Sequence, residues 1–156
     1  MPIVTVLARC LVLGLALLAP ALPGAAAPYG WGSGGAVRVI GNDSGGALKP
    51  RIEEVRRMRA RGDRVEIRGS YCRSSCTLYL GAGDVCVSPA TQFGFHGPGY
   101  PGRPIRYDRF DYWSQRMAAH YPPELSAWFL TRARFVTAGY MTLSGAELIR
   151  MGVPPC

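Results

Sequence analysis

A serine hydroxyl becomes a nucleophile when a base takes its proton, and its attack on a carbonyl needs donors for the oxyanion that forms. Residue types for all three tasks occur in two short stretches of this 156-residue chain. The stretch from Tyr71 to Pro98 carries Ser74 and Ser75 side by side, three of the five cysteines, and His96, one of two histidines. An earlier turn, Gly41-Asn42-Asp43-Ser44-Gly45-Gly46, is dense in residues that tolerate positive φ and expose backbone N–H groups. Ser74 as nucleophile, His96 as base, and Gly45, Gly46 and the Ser75 N–H as oxyanion donors is the chemistry these types allow. Each also has a plainer reading: serine is a good N-cap, and a histidine at a strand end can simply be held by a backbone carbonyl. His120, before Tyr121 and Pro122, reads as a helix-end residue.

Those residues need a scaffold. Ala36–Ile40 reads as a strand, the glycine turn follows, and a helix opens at Pro50 with Ile52, Val55 and Met58 on one face until Gly62 stops it. Val65–Arg68 reads as a second strand, so the unit is βαβ and its strands are expected to be parallel. A second helix is expected from Ser74 or Ser75 through Leu80, stopping at Gly81 to Gly83. Val85–Val87 and Gln92–Phe95 follow as short strands with His96 at the exit. This order puts the glycine turn and the serine pair at the carboxyl ends of parallel strands, where open α/β sheets bind ligands.

The second half predicts a loop over Pro98–Pro104 and an amphipathic helix from Tyr107 to Tyr121 with Phe110, Trp113 and Met117 on one face. A further helix starts at Pro122-Pro123 with Leu125, Trp128 and Phe129 as apolar positions. A last one is capped by Ser144 with Glu147 completing a capping box. No repeat or second domain is evident, and residues 36–156 form one domain.

The N-terminus has the organisation of a secretory signal: Arg9, an apolar run from Cys10 to Leu22, and a small-residue region through Ala27. Residues 1–27 are the expected signal and 28–35 a glycine-rich linker. The apolar run, interrupted by Pro20, is short for a bilayer span, so no stable membrane span is expected after cleavage and the chain is expected to be periplasmic or secreted. Loss of Arg9 lowers the formal charge only from +8 to +7. The excess of basic residues is spread along the chain without the aromatic interleaving of a single-strand reader, so nucleic acid is not an expected partner. Cys72, Cys76, Cys86 and Cys156 remain, an even set that in an oxidising compartment points to disulfides. Sequence does not choose among their three pairings. The preferred bridge joins Cys72 or Cys76 to Cys86, because Cys86 lies on the segment returning past the serines. No metal and no cofactor is expected, since Cys72 and Cys76 lack two further soft ligands for zinc.

Ile40–Gly46 followed by a helix resembles the Asn-Ser-Pro-Gly-Gly turn of the Clp protease proteolytic subunit and its relatives in the Clp/crotonase superfamily. Cys72-Arg73-Ser74-Ser75-Cys76-Thr77 resembles that family's Ala-Ala-Ser-Met-Gly segment, and Thr91–Pro98 its strand ending in the catalytic histidine. The Cys-x-Ser-x-Cys-Thr and Gly-Phe-His pairing is similar to a group of exported bacterial Clp-protease-like proteins, and Leu143–Val153 is similar to the family's late helix. The resemblance implies an α/β fold with a repeated ββα core, Ser74 as nucleophile, His96 as general base, a peptide or protein substrate, and assembly into homo-oligomers. Two departures stand out. Ser44 replaces the proline of the turn, and Tyr140 falls where an aspartate is expected. Asp84, Asp108 and Asp111 are the other acids that could orient His96. Two functions follow from the sequence: an exported serine hydrolase, or an envelope protein without catalysis that binds or assembles through the same cleft or through aromatic helices bearing Trp113 and Trp128.

Overall fold

The computed structural model describes residues 35–100 and 102–156. The expected signal segment and all of the linker but Gly35 lie outside the described residues.

The chain alternates strands between two small sheets, and that alternation places the site. Strand β1 (Val37–Ile40), β2 (Arg64–Ile67) and β4 (Asp84–Val87) form a parallel sheet in the order β1-β2-β4. The other sheet has the order β3-β5-β6. In it β3 (Tyr71–Arg73) pairs parallel with β5 (Gln92–Phe95), and β5 pairs antiparallel with β6 (Met141–Ser144). After β2 the chain passes directly into β3, and after β4 into β5. After β1 it does the same for one residue only, as Asp43 bridges Cys72 in the parallel sense. The result is mixed α/β architecture in which strand-strand-helix units recur, with the βαβ strands parallel as expected.

Helix α1 (Leu48–Arg61) buries Ile52, Val55 and Met58 and ends at Gly62, whose φ of 67° lets its N–H turn back to the last carbonyls. Asp63 is buried beside this end. It accepts from the Ala36 N–H at 3.0 Å and pairs with Arg61 at 2.6 Å, tying the exit of α1 to the entry of β1. The Arg61 bond, reinforced by the Ala36 N–H and Arg38, holds the Asp63 carboxyl below its ordinary value.

The expected helix after β3 forms over Ser74–Gly81, but as a 3₁₀ helix. Its first turn is held by an i→i+3 contact in which the Thr77 hydroxyl donates to the Ser74 carbonyl at 2.8 Å. Helices α2 (Tyr107–Ala118) and α3 (Pro123–Thr131) match the two expected apolar faces. Met117, Leu125 and Phe129 are buried, while Trp128 packs edge-on against Phe95 at 5.4 Å between ring centroids, so these faces pack into the core. Helix α4 (Gly145–Arg150) opens with the predicted capping box: the Ser144 hydroxyl accepts from the Glu147 N–H, and the Glu147 carboxylate accepts from the Ser144 N–H at 2.6 Å. Strands β3 and β6 were not expected, because each is short and lacks an apolar-polar alternation long enough to read.

The cysteine pairing differs from the preferred one. Disulfides join Cys72 to Cys76 and Cys86 to Cys156, with Cα–Cα distances of 5.3 and 4.8 Å. Cys72 lies in β3 and Cys86 in β4, which belong to different sheets, so neither Cys72 nor Cys76 is presented to Cys86. Cys86 instead meets the tail, which runs along β4 through a parallel bridge of Val87 with Pro155 and a Cys156 N–H bond to the Val87 carbonyl at 3.0 Å.

Among the described residues, no helix is long and apolar enough to cross a membrane, and no group of three or more His, Cys, Asp or Glu is placed to hold a metal ion.

Candidate functional site

Three neighbouring parallel segments end at one place. Asp43, β3 and β5 lie side by side in the parallel sense, so the residues that follow each of them emerge from the same edge. Those residues are the Gly45-Gly46 turn, Ser74 and His96. Because β6 runs antiparallel to β5, with Met141 opposite Phe95, the residue before it, Tyr140, is delivered to the same edge.

Ser74 and His96 meet there. The Ser74 hydroxyl lies 2.8 Å from His96 Nε2, and His96 Nδ1 lies 2.7 Å from the Gly97 carbonyl. A carbonyl can only accept, so Nδ1 carries the proton of the neutral ring; Nε2 is then a lone pair and Ser74 is its donor. The side chains are those of a serine poised to transfer its proton to a base. Ser74 also adopts φ 54°, the left-handed region, and is the one non-glycine residue to do so among the described residues. Such strain is held by surrounding structure and concentrates at functional sites. Ser75, the neighbouring hydroxyl, is fully buried and finds no partner among the described residues, so Ser74 is the serine presented to the histidine.

The glycine turn approaches this serine closely. A Cβ on Gly45 would lie 2.6 Å from Ser74 Cβ, 2.7 Å from the Arg73 carbonyl oxygen and 2.9 Å from the Ser75 nitrogen, and Gly45 itself has φ 91°. Glycine is therefore required at 45 on two counts. Its own N–H is occupied, donating to Asp43 Oδ1 at 2.7 Å. Asp43 also pairs with Arg51 of α1 at 2.8 Å, which fixes the turn against the helix it precedes. Gly46 is exposed and its N–H has no partner among the described residues. Asp43 was not singled out in the sequence, although an Asp two residues before a glycine in a turn is an Asx-turn signal.

No carboxylate reaches His96 among the described residues. Asp84 pairs with Arg64 at 2.8 Å, Asp108 with Arg106 at 3.0 Å and Asp111 with Arg134 at 2.9 Å. The place beside the imidazole is taken by Tyr140, edge-on with ring centroids 5.5 Å apart. Arg73 lies over the Tyr140 and Tyr71 rings. Gly94 lies under Tyr140, and a Cβ there would be in tight contact, 3.0 Å from both the Arg73 and Tyr140 side chains. The loop carrying His96 is pinned from α2 and the segment after α3: the Gly97 N–H donates to the Val136 carbonyl at 3.0 Å, and Arg134 stacks between Phe110 and Phe135. His120 is remote from this pair. Its Nδ1 contacts the Arg116 carbonyl at 2.9 Å, a helix-end contact, and burial pushes its imidazole down from the usual value.

A cavity of about 710 Å³ opens beside Ser74 and His96. Leu48, Pro50, Ile105, Trp113 and Met117 give it an apolar wall, Gly46 faces it, and Lys49 and Arg109 are its charged residues. Its size falls within the usual range for small-ligand sites. None of its lining residues is acidic, so an anionic or neutral group is better accommodated than a cation. A second cavity of about 410 Å³, lined in part by Arg103 and Thr137, shares the His96–Tyr100 wall.

The arrangement can polarise a serine and hold an apolar group next to it, and Gly46, whose N–H is without a partner among the described residues, faces the same cavity. Compared with known proteins, the chain is matched by no family model and by no curated protein.

Proposed function

We propose that this chain is an exported serine hydrolase, with a peptide bond as the preferred acyl donor. The observation that carries the reading is the short Ser74–His96 contact, with Nδ1 committed to a carbonyl and the hydroxyl beside a cavity of about 710 Å³ with an apolar wall. Ser74 Oγ attacks the substrate carbonyl carbon as its proton passes to His96 Nε2. The oxyanion is held by the N–H groups of Ser75 and Gly46, and Gly45 serves by leaving room rather than by donating. Collapse breaks the bond to the leaving group, which takes the proton from Nε2 and leaves the acyl group esterified to Ser74. Water, deprotonated by the same nitrogen, then releases the acid and regenerates the hydroxyl. The strand-strand-helix recurrence supports a Clp/crotonase-like core, and two disulfides support an exported location.

A second reading rests on one observation: the partner of Nδ1 is a neutral carbonyl, which stabilises an imidazolium less than a carboxylate does. On that reading the chain binds or assembles through the same cleft without catalysis.

A fluorophosphonate probe separates the two. Adduct formation on Ser74, located by mass spectrometry and abolished by Ser74→Ala and His96→Ala but not by Ser75→Ala, is the expected result. No labelling of the wild-type protein, under conditions that label a control serine hydrolase, would leave the binding reading in place.

A further inference from the structure

We propose that the Cys72–Cys76 disulfide is a positioning clamp for the Ser74 hydroxyl and not principally a staple of the fold; this rests on Ser74 being the nucleophile. The bond joins residues four apart in sequence, and Ser74 stands midway between them. Cys72 belongs to β3 and Cys76 to the 3₁₀ helix, so the bond fixes the strand against the helix on either side of one residue. That residue carries the strained backbone, with φ 54°. An isolated serine leaves this region readily, because the left-handed conformation is disfavoured for any residue with a Cβ. What keeps it there is therefore a functional matter.

Three restraints converge on it. Gly45 packs directly over the Ser74 Cβ. Thr77 donates to the Ser74 carbonyl at 2.8 Å and shares a 2.7 Å hydrogen bond with the buried Tyr121 hydroxyl, which ties the turn to the core. The disulfide is the covalent restraint, and both its cysteines are fully buried. A bond between residues so close in sequence removes less chain entropy from the unfolded state than one that closes a long loop. Its effect is concentrated in local geometry. If the Ser74 backbone relaxes to negative φ, its Cα–Cβ vector swings and the hydroxyl leaves His96 Nε2. The Cys86–Cys156 bond differs in kind: it joins β4 to a tail residue 70 positions away and does not bracket Ser74.

The test compares the full mature chain with a Cys72→Ala, Cys76→Ala pair, with Cys86→Ala, Cys156→Ala and with Ser74→Ala. Two measurements are made on each: long-range ¹H–¹⁵N NMR of the His96 ring nitrogens, and the rate of fluorophosphonate labelling. The expected result is a folded Cys72/Cys76 variant whose Nε2 resonance moves to that of the Ser74→Ala protein. Its labelling should slow by about a hundredfold, the order expected when a reacting atom is misplaced by about an ångström. The folded Cys86/Cys156 variant keeps the wild-type Nε2 resonance. An unchanged Nε2 resonance together with unchanged labelling in the Cys72/Cys76 variant overturns the proposal. Should the alanine pair fail to fold, Cys72→Val with Cys76→Val restores apolar volume and is read in the same way. If the wild-type protein is not labelled at all, the hydrolase reading fails, while the Nε2 resonance still decides whether the disulfide places the hydroxyl.

Discussion

The two disulfides use the same bond for different ends. Cys86–Cys156 links residues 70 apart and fastens the segment from Pro154 to Cys156 along β4. Cys72–Cys76 links residues four apart and surrounds a single strained serine. In the chain-entropy account the first contributes about 4 kcal/mol to stability and the second about 2 kcal/mol. The longer bond thus acts mainly on the unfolded chain. The shorter one acts mainly on the native state, where it limits which φ a residue without glycine's freedom can hold. The comparison teaches that a cysteine pair near a reactive group is to be judged by what it encloses, and a distant pair by how much chain it closes.

Variants at both bonds and around the serine put this contrast to the test. The largest effect is expected from His96→Ala or Ser74→Ala, which remove base or nucleophile outright: labelling of residue 74 should fall by about three orders of magnitude or more, with thermal midpoint little changed. Persisting adduct at another residue would move the site. Next comes Cys72→Ala with Cys76→Ala, for which labelling should slow about a hundredfold; Cys86→Ala with Cys156→Ala should do the reverse, losing about 4 kcal/mol in urea titrations while labelling of the folded fraction stays near wild type. Equal effects from the two pairs would erase the distinction. Gly45→Ala meets the strain of φ 91° and the Ser74 Cβ, and should cost about 1–3 kcal/mol of stability along with reduced labelling. The smallest effect belongs to a cap remote from the chemistry. Ser144→Ala removes the first capping bond of α4 and should cost about 1 kcal/mol, with labelling unchanged.

The same cap has a pH signature. The Ser144 N–H, followed by the Ser144 hydroxyl, holds the Glu147 carboxyl below its ordinary value of 4.5. A carboxyl depressed in the folded state contributes stability above its unfolded pKa and loses it as pH falls through the folded pKa. Stability measured from neutral pH downward should therefore fall in the acid range, and Ser144→Ala should flatten that fall by weakening the bonds that depress Glu147.

Most helices and the strands β1, β2, β4 and β5 were legible because their signals are local. Gly62 stops α1, Pro50 falls in its first turn, two residues after its start at Leu48, and Ile52, Val55 and Met58 mark its buried face. Ser144 and Glu147 announce α4 through a reciprocal bond between residues three apart. The strands β3 and β6 were illegible because their assignment comes from pairing partners far along the chain, Arg73 with Gly94 and Met141 with Phe95. The cysteine pairing failed for the same reason, since which sheet a strand joins is not written in the strand itself.

For the candidate site, sequence alone determined the inventory: two serines, a histidine after a strand, two glycines in a turn and no carboxylate at position 140. Residue type sets what chemistry a side chain can do, so that inventory needs no coordinates. Tertiary structure decided which hydroxyl is offered to the histidine, that the Gly97 carbonyl holds Nδ1, that Gly45 serves by its missing side chain, and that a disulfide encloses Ser74. Each of these depends on distances of a few ångströms between segments brought together by sheet pairing, and such distances are fixed by the fold as a whole.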